Sequence, residues 1–239
     1  MRIEIAKEVF ESYPNYRRYV VLAKGVDNSG KDEELEGMLR EKEQAVRSCE
    51  DLSNYKEHPR ILVWRKVFED MNLNPNRFPP SIANLVKRVR SGKDLPFVNK
   101  LVCIFNIVSL KYIVPCGGDD LSVVRGTLLL GQAAGDETYN PLGKPQETET
   151  PAPGEIILYD TGTKDVFCRG WCWKNGDSSK ITPETKVVAI NIDAMMDVVP
   201  QEEHRRAAFE VAELVKSKCG GEVDVWLLSP EKRWLDIEF

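Results

Sequence analysis

Hydrophobic positions early in the chain alternate with polar ones. Ile3 and Ile5 do so, as do the residues around Tyr19–Ala23, and period-two alternation predicts two early strands with a turn at Val26–Gly30. From Asp32 to Leu52 the period changes. Leu35, Leu39, Val46 and Cys49 fall on one face of a highly charged helix. His58-Pro59 ends that region, and Ile61–Phe68 opens a more buried helix running to about Met71. Asn72–Pro80, with three prolines and three asparagines, reads as an irregular loop. Ser81 is placed to cap the next helix, whose stripe is Ile82, Leu85, Val86 and Val89 and whose stop is Gly92. Leu101–Tyr112 is apolar nearly all round and predicts a central buried helix.

Beyond it, Val114–Leu121 reads as a sharp turn. Gly126–Leu130, Glu155–Tyr159, Val166–Trp173 and Val187–Asp193 read as strands, with Pro141–Pro153 as a surface connection. Glu202–Cys219 predicts a helix closed by Gly220-Gly221, and Val223–Leu228 a last strand. With helices mainly in the first half and strands mainly in the second, the class is α+β.

Trp171–Thr185 stands out between two of these strands. It gathers two tryptophans, charges of both signs and four hydroxyl residues. Asn175-Gly176-Asp177 inside it is turn chemistry. Loops held by a rigid scaffold often carry binding or catalytic groups; a wide hairpin whose polar residues bond their own backbone is the simpler alternative.

Composition narrows the function. The 239 residues are 30% charged and 42% hydrophobic, with a net charge of −5, which argues against a generic polyanion binder while leaving room for a local basic patch. Lys87, Arg88, Arg90 and Lys93 form the concentrated basic segment, either a solvated helix face or a phosphate-contacting surface. No apolar run suffices for a membrane span and no signal peptide is visible, so a cytoplasmic protein is expected. The six cysteines lack a framework spacing. Cys168 and Cys172 would share a strand face, but the two histidines, His58 and His204, lie far away in sequence, so free thiols are expected and neither metal nor cofactor is. Phosphate-loop, dinucleotide-binding and His-Glu-x-x-His motifs are absent.

Pro80–Val89, Leu95–Val102 and Phe105–Tyr112 resemble the B3/B4 (tRNA-editing) domain of the phenylalanine–tRNA ligase beta subunit and its freestanding relatives. The resemblance continues through Pro115–Leu121, Gly154–Asp160, Trp171-Cys-Trp173 and Thr182–Thr185, and covers roughly residues 60–200. It implies an unusual β-sandwich with flanking helices, in one domain made of an N-terminal extension (1–58), a core (59–200) and a C-terminal helix and strand (201–239). It also implies hydrolysis of misacylated aminoacyl-tRNA in trans, without metal. The partners implied are the aminoacyl end of tRNA and an aminoacyl-tRNA synthetase, with neither membrane nor DNA expected.

Carried over by residue, Asp177 stands where the family has the glutamate of a Gly-Gly-Glu turn and would be the catalytic residue, and Gly117 stands where the family has a histidine. Asn106, Ser109, Gly117, Gly118, Trp171, Trp173, Thr182, Glu184 and Thr185 would line the substrate pocket, and Lys87, Arg88, Arg90 and Lys93 would meet tRNA. Two alternatives stay open: a non-catalytic RNA- or amino-acid-binding module, which the glycine at position 117 favours, and a metal-dependent hydrolase built on Cys168, Cys172 and nearby acids.

Overall fold

The computed structural model describes residues 1–238. In chain order the elements are β1 (Arg2–Ile5), α1 (Lys7–Ser12), β2 (Tyr16–Lys24), α2 (Glu33–Ser48), α3 (Pro59–Asp70), α4 (Ser81–Arg90) and α5 (Lys100–Tyr112). There follow β3 (Cys116–Asp120), β4 (Thr127–Gln132), β5 (Ile156–Asp160), β6 (Val166–Arg169), β7 (Lys174–Asn175), β8 (Val187–Met195), α6 (Gln201–Cys219), β9 (Glu222–Leu228) and β10 (Trp234–Asp236). The class is α+β, as the hydrophobic pattern predicts. No helix among the described residues is long and apolar enough to cross a membrane.

Two sheets face one another. The larger runs β10-β1-β4-β5-β6-β7 and the smaller β3-β8-β2-β9. All neighbours are antiparallel except β1 and β4. The helices-first reading needs a refinement here. Segment 1–58 supplies β2, which lies between β8 and β9, so early strands complete sheets begun much later in the chain. The short α1 and β10 escape the periodicity because each is too short to show one.

The central helix α5 is capped by Asn99, whose side chain accepts from the Val102 amide at 2.9 Å. Asn28 donates to the Thr182 carbonyl at 2.8 Å and accepts from the Leu101 amide at 2.9 Å, tying the long loop after β7 to the start of α5.

Three local readings are corrected. Val114–Leu121 is not a sharp turn, because Cys116–Asp120 is strand paired with β8 from Cys116↔Ile192 to Asp120↔Val188. Gly118 marks a close approach: a Cβ there would lie 2.7 Å from Phe105 Cζ and 3.0 Å from the Ala189 carbonyl. Ser81 does not cap α4 with its side chain; Pro80 precedes the helix and the Ser81 amide donates to the Cys172 carbonyl at 2.8 Å. Finally, β6 ends at Arg169 and reverses at Gly170–Trp173, where Gly170 (φ 55°) and Trp171 (φ 66°) are left-handed. The turn is therefore not at Asn175-Gly176-Asp177. Asn175 belongs to β7, paired with Cys168, and Gly176 is required because a Cβ there would meet the Val166 carbonyl at 2.4 Å. Cys172 consequently lies in the turn, beyond the strand face of Cys168.

A candidate active site between the two sheets

Strand register gathers the site. Side chains two apart on a strand share a face, and cross-strand partners share it too. Arg18 pairs with Asp193 across β2 and β8, and Gly117 pairs with Asn191 across β3 and β8. Arg18, Asp193, Asn191, Gly117 and Asp119 therefore occupy one face of the smaller sheet. Leu158 and Cys168, partners across β5 and β6, face them from the larger sheet, and the Trp171-Cys172 turn closes one side. Between them is a cavity of about 70 Å³, several times the ~10–15 Å³ one water needs.

The cavity wall is polar and fixed. Arg18 donates from Nε to Asp193 Oδ1 at 2.6 Å and from Nη2 to Oδ2 at 3.0 Å, a bidentate pair sealed from solvent. The Tyr16 hydroxyl donates to the same Oδ1 at 2.6 Å. Burial works against the Arg18 charge, yet Asp193 beside it more than restores it, and the guanidinium is held firmly protonated. Arg18 Nη1 and Asn191 Oδ1, both buried, have no hydrogen-bond partner. Trp171 Nε1 lacks one as well, although it lies near enough to the Tyr16 hydroxyl to bear on its acidity. Native buried polar atoms are rarely left alone, and exceptions gather at functional sites.

Asp119 is the cavity-lining carboxyl whose acidity is shifted most. Its carboxyl is 2% exposed and accepts from Ser179 Oγ at 2.8 Å. Burial drives its pKa up; the Ser179 bond and Arg18 oppose this and Asp120 adds to it, leaving it at about 7. Titratable groups with strongly shifted pKa in a cleft are candidates for acid–base work. The thiols of Cys116, Cys168 and Cys172, also on the wall, are pushed up by burial and stay protonated at neutral pH. Among the described residues no group of three or more His, Cys, Asp or Glu is arranged to hold a metal ion.

The expected residues divide. Gly117, Gly118 and Trp171 line the cavity. Asn106 and Ser109 stay on α5 behind β3, where Ser109 Oγ donates to the Cys116 carbonyl at 3.4 Å. Trp173 packs edge-on to Phe78, with ring centroids 4.8 Å apart. Thr182, Glu184 and Thr185 form a self-bonded turn: Thr185 Oγ1 accepts from the Thr182 amide at 3.0 Å and donates to Asp120 Oδ2 at 2.7 Å, and Thr182 Oγ1 accepts from the Glu184 amide.

Asp177, the expected catalytic residue, is not among the residues lining this cavity. Its Oδ1 accepts from the Gly143 amide and its Oδ2 from Lys180 Nζ, each at 2.9 Å, so it pins the 141–143 loop rather than facing the cavity. The Lys180 contact, then the Gly143 amide, holds its pKa below the usual carboxylate range.

The basic segment divides too. Arg90 Nη1 donates to the carbonyls of Val46, Arg47 and Cys49, capping the end of α2. Arg88 donates to the Asp94 carbonyl at 3.0 Å, while Lys87 and Lys93 are exposed.

Sequence reasoning missed Arg18, Asp119, Asn191 and Asp193. The signal was there. Asn191 and Asp193 break an apolar strand at positions two apart, and Arg18 stands in a strand that is otherwise nearly all buried.

The chain matches the B3/4 domain over residues 63–214. No curated protein matches it. Among solved structures, an N-terminal fragment of the phenylalanyl-tRNA synthetase beta-subunit from Pyrococcus horikoshii is similar at a TM-score of 0.46 and 13% identity, covering 92% of this chain and 49% of that one. The chain thus spans about half the length of that fragment.

Proposed function

Because the chain belongs to the B3/4 domain family, we propose that it acts on the aminoacyl end of tRNA and hydrolyses the ester of a wrongly charged amino acid. The observation that carries this reading is Asp119: a sealed carboxyl with a pKa of about 7, in a cavity whose other walls are positioned by pairing and packing. In the proposed reaction the Asp119 carboxylate takes a proton from a water as its oxygen bonds to the ester carbonyl carbon. The bond from that carbon to the ribose oxygen then breaks, and the ribose oxygen receives a proton. A positioned water and a base with a pKa near the working pH suffice for such a step. The protonated thiols supply no competing nucleophile. Lys87 and Lys93, with Arg88, are the groups we assign to the tRNA backbone, since Arg90 is committed to capping α2.

The test is a deacylation time course over a panel of correctly and wrongly charged tRNAs. Selective loss of one mischarged species, slowed by about 100-fold or more in Asp119→Asn, is expected for a general base. A flat panel removes the hydrolytic reading.

A second reading, binding of the aminoacyl end without hydrolysis, is favoured by Gly117: nothing lies within 4 Å of a Cβ built there, so no side chain stands at the position of the family's histidine. Saturable tRNA binding with no ester loss would decide for it.

A further inference from the structure

Residues 176–186, the loop between β7 and β8, carry the four hydroxyl residues that stand out in the sequence, and the reaction described above uses none of them. Three have other duties. Ser178 is exposed, and Thr182 and Thr185 bond within their own turn and to Asp120. Ser179 differs. It is 1% exposed, and its Oγ donates to Asp119 Oδ1 at 2.8 Å.

The hydroxyl is held where it is. The Asp120 amide donates to the Ser179 carbonyl at 3.0 Å, so Asp119 and Asp120 take the serine at two points, one through a side chain and one through the backbone. The loop is also tied on either side of it. Asp177 accepts from the Gly143 amide before Ser179, and beyond it Asn99 donates to the Ile181 carbonyl and Asn28 to the Thr182 carbonyl.

Only one oxygen of Asp119 is taken. Oδ2 has no hydrogen-bond partner among the described residues and is not one of the sealed unpartnered atoms, which leaves it as the oxygen open to the cavity. The charged and titratable groups around the carboxyl come from every wall: Arg18 of β2 and Asp193 of β8, paired with one another, Asp120 next along β3, and the thiols of Cys116, Cys168 and Cys172. None of these side chains donates a hydrogen bond to it; among the described residues Ser179 alone does.

We propose that Ser179 is a positioning residue, whose hydroxyl holds Asp119 Oδ1 so that Oδ2 is turned to the cavity and the carboxyl ionises more readily than burial alone would allow. The proposal rests on the reading of Asp119 as the base. A hydroxyl donating to a carboxylate favours the ionised form, and a fixed partner on one oxygen fixes where the other points. The conspicuous loop then acts on the cavity through a single contact.

The test follows the Asp119 carboxyl carbon by 13C NMR across pH in the full chain, with Asp119→Asn identifying its signal. In Ser179→Ala the titration midpoint is expected to rise by about one pH unit. Since Asp119 is about half ionised at pH 7 in the unaltered chain, turnover of the selectively hydrolysed tRNA in Ser179→Ala should fall about fivefold at pH 7 and recover by about pH 9, with the uncatalysed rate subtracted. A midpoint that stays or moves down, or turnover lowered by the same factor at both pH values, overturns the proposal. A second reading needs no variant: the Ser179 Cβ signal of the unaltered chain should titrate with the midpoint of Asp119, and a Ser179 signal flat through that titration overturns the proposal by itself. The NMR titrations use no tRNA, so this proposal and the hydrolytic reading fail separately. A raised midpoint with a flat deacylation panel keeps the positioning of Asp119 and removes hydrolysis, whereas deacylation lost in Asp119→Asn with an unmoved midpoint in Ser179→Ala does the reverse.

Discussion

At the scale of single residues, the site rests on how burial acts on two acids. Asp119 and Asp177 are both shielded carboxyls, yet their chemistry diverges. Asp177 meets an amide and an ammonium and is held ionised, whereas Asp119 has a hydroxyl and a more distant guanidinium. The folded-state pKa of Asp119, about 7, lies above the ordinary value of 3.8, so the folded protein holds a proton there that the unfolded chain releases. That contribution to stability is present below the ordinary value and is lost as pH rises through about 7. Comparing Asp119→Asn with the unaltered chain isolates it from other carboxyls. The variant's relative stability should climb between about pH 4 and 7, by on the order of 4 kcal/mol in total, and then level off. Urea unfolding at four pH values checks this, and parallel curves would contradict it. Arg18 and Asp193 carry the opposite expectation. Removing either leaves a buried charge unpaired, and Asp193→Ala should cost about 3–5 kcal/mol in the same assay.

Among the elements, adjacent glycines of β3 make different demands. A Cβ on Gly118 meets Phe105 and the Ala189 carbonyl, so Gly118→Ala should destabilise by about 1–3 kcal/mol. At Gly117 the same Cβ meets nothing, and Gly117→Ala should be neutral or stabilising by about 0.5 kcal/mol. Thermal unfolding of the pair decides, and equal losses would contradict the close packing of α5 on β3. This contrast also shows what the sequence reveals and what it hides. The long helix α2 was legible because burying one face imposes a 3.6-residue period on many residues, and α5 because a helix buried nearly all round is apolar nearly all round. The glycine pair read as a turn because the strand position pressed against α5 at Gly118 calls for glycine just as a tight turn does. Trp171 was legible as exceptional, but its left-handed backbone and its packing on Tyr16 and Trp64, with centroids 4.6 and 5.4 Å away, depend on a fold no local window contains. The catalytic reading went to Asp177 because motif matching follows chain order. The cavity is instead assembled by register between β2, β3 and β8, elements that lie far apart along the chain.

For the whole molecule, the net charge of −5 makes any tRNA surface local. Neutralised phosphates release counterions, and each contributes about 0.7–0.9 to the salt slope of binding. Replacing Lys87 and Lys93 together by glutamine should weaken tRNA binding and lower that slope by about 1–2, with little effect on stability since both are exposed. An unchanged slope would place the tRNA elsewhere. The interlaced sheets also tie the cavity to both ends of the chain, because β2 comes from the N-terminal segment and β9, its neighbour, from the C-terminal one.

The pH dependence of deacylation is the most direct measurement. With the selectively hydrolysed tRNA, and the uncatalysed rate subtracted, turnover should rise with pH and level off above about 7 as Asp119 ionises. Asp119→Asn should lack that rise, and Asp177→Asn should retain it. A profile unchanged in Asp119→Asn, or a rise lost only in Asp177→Asn, would contradict the assignment of the chemistry to the cavity between the sheets.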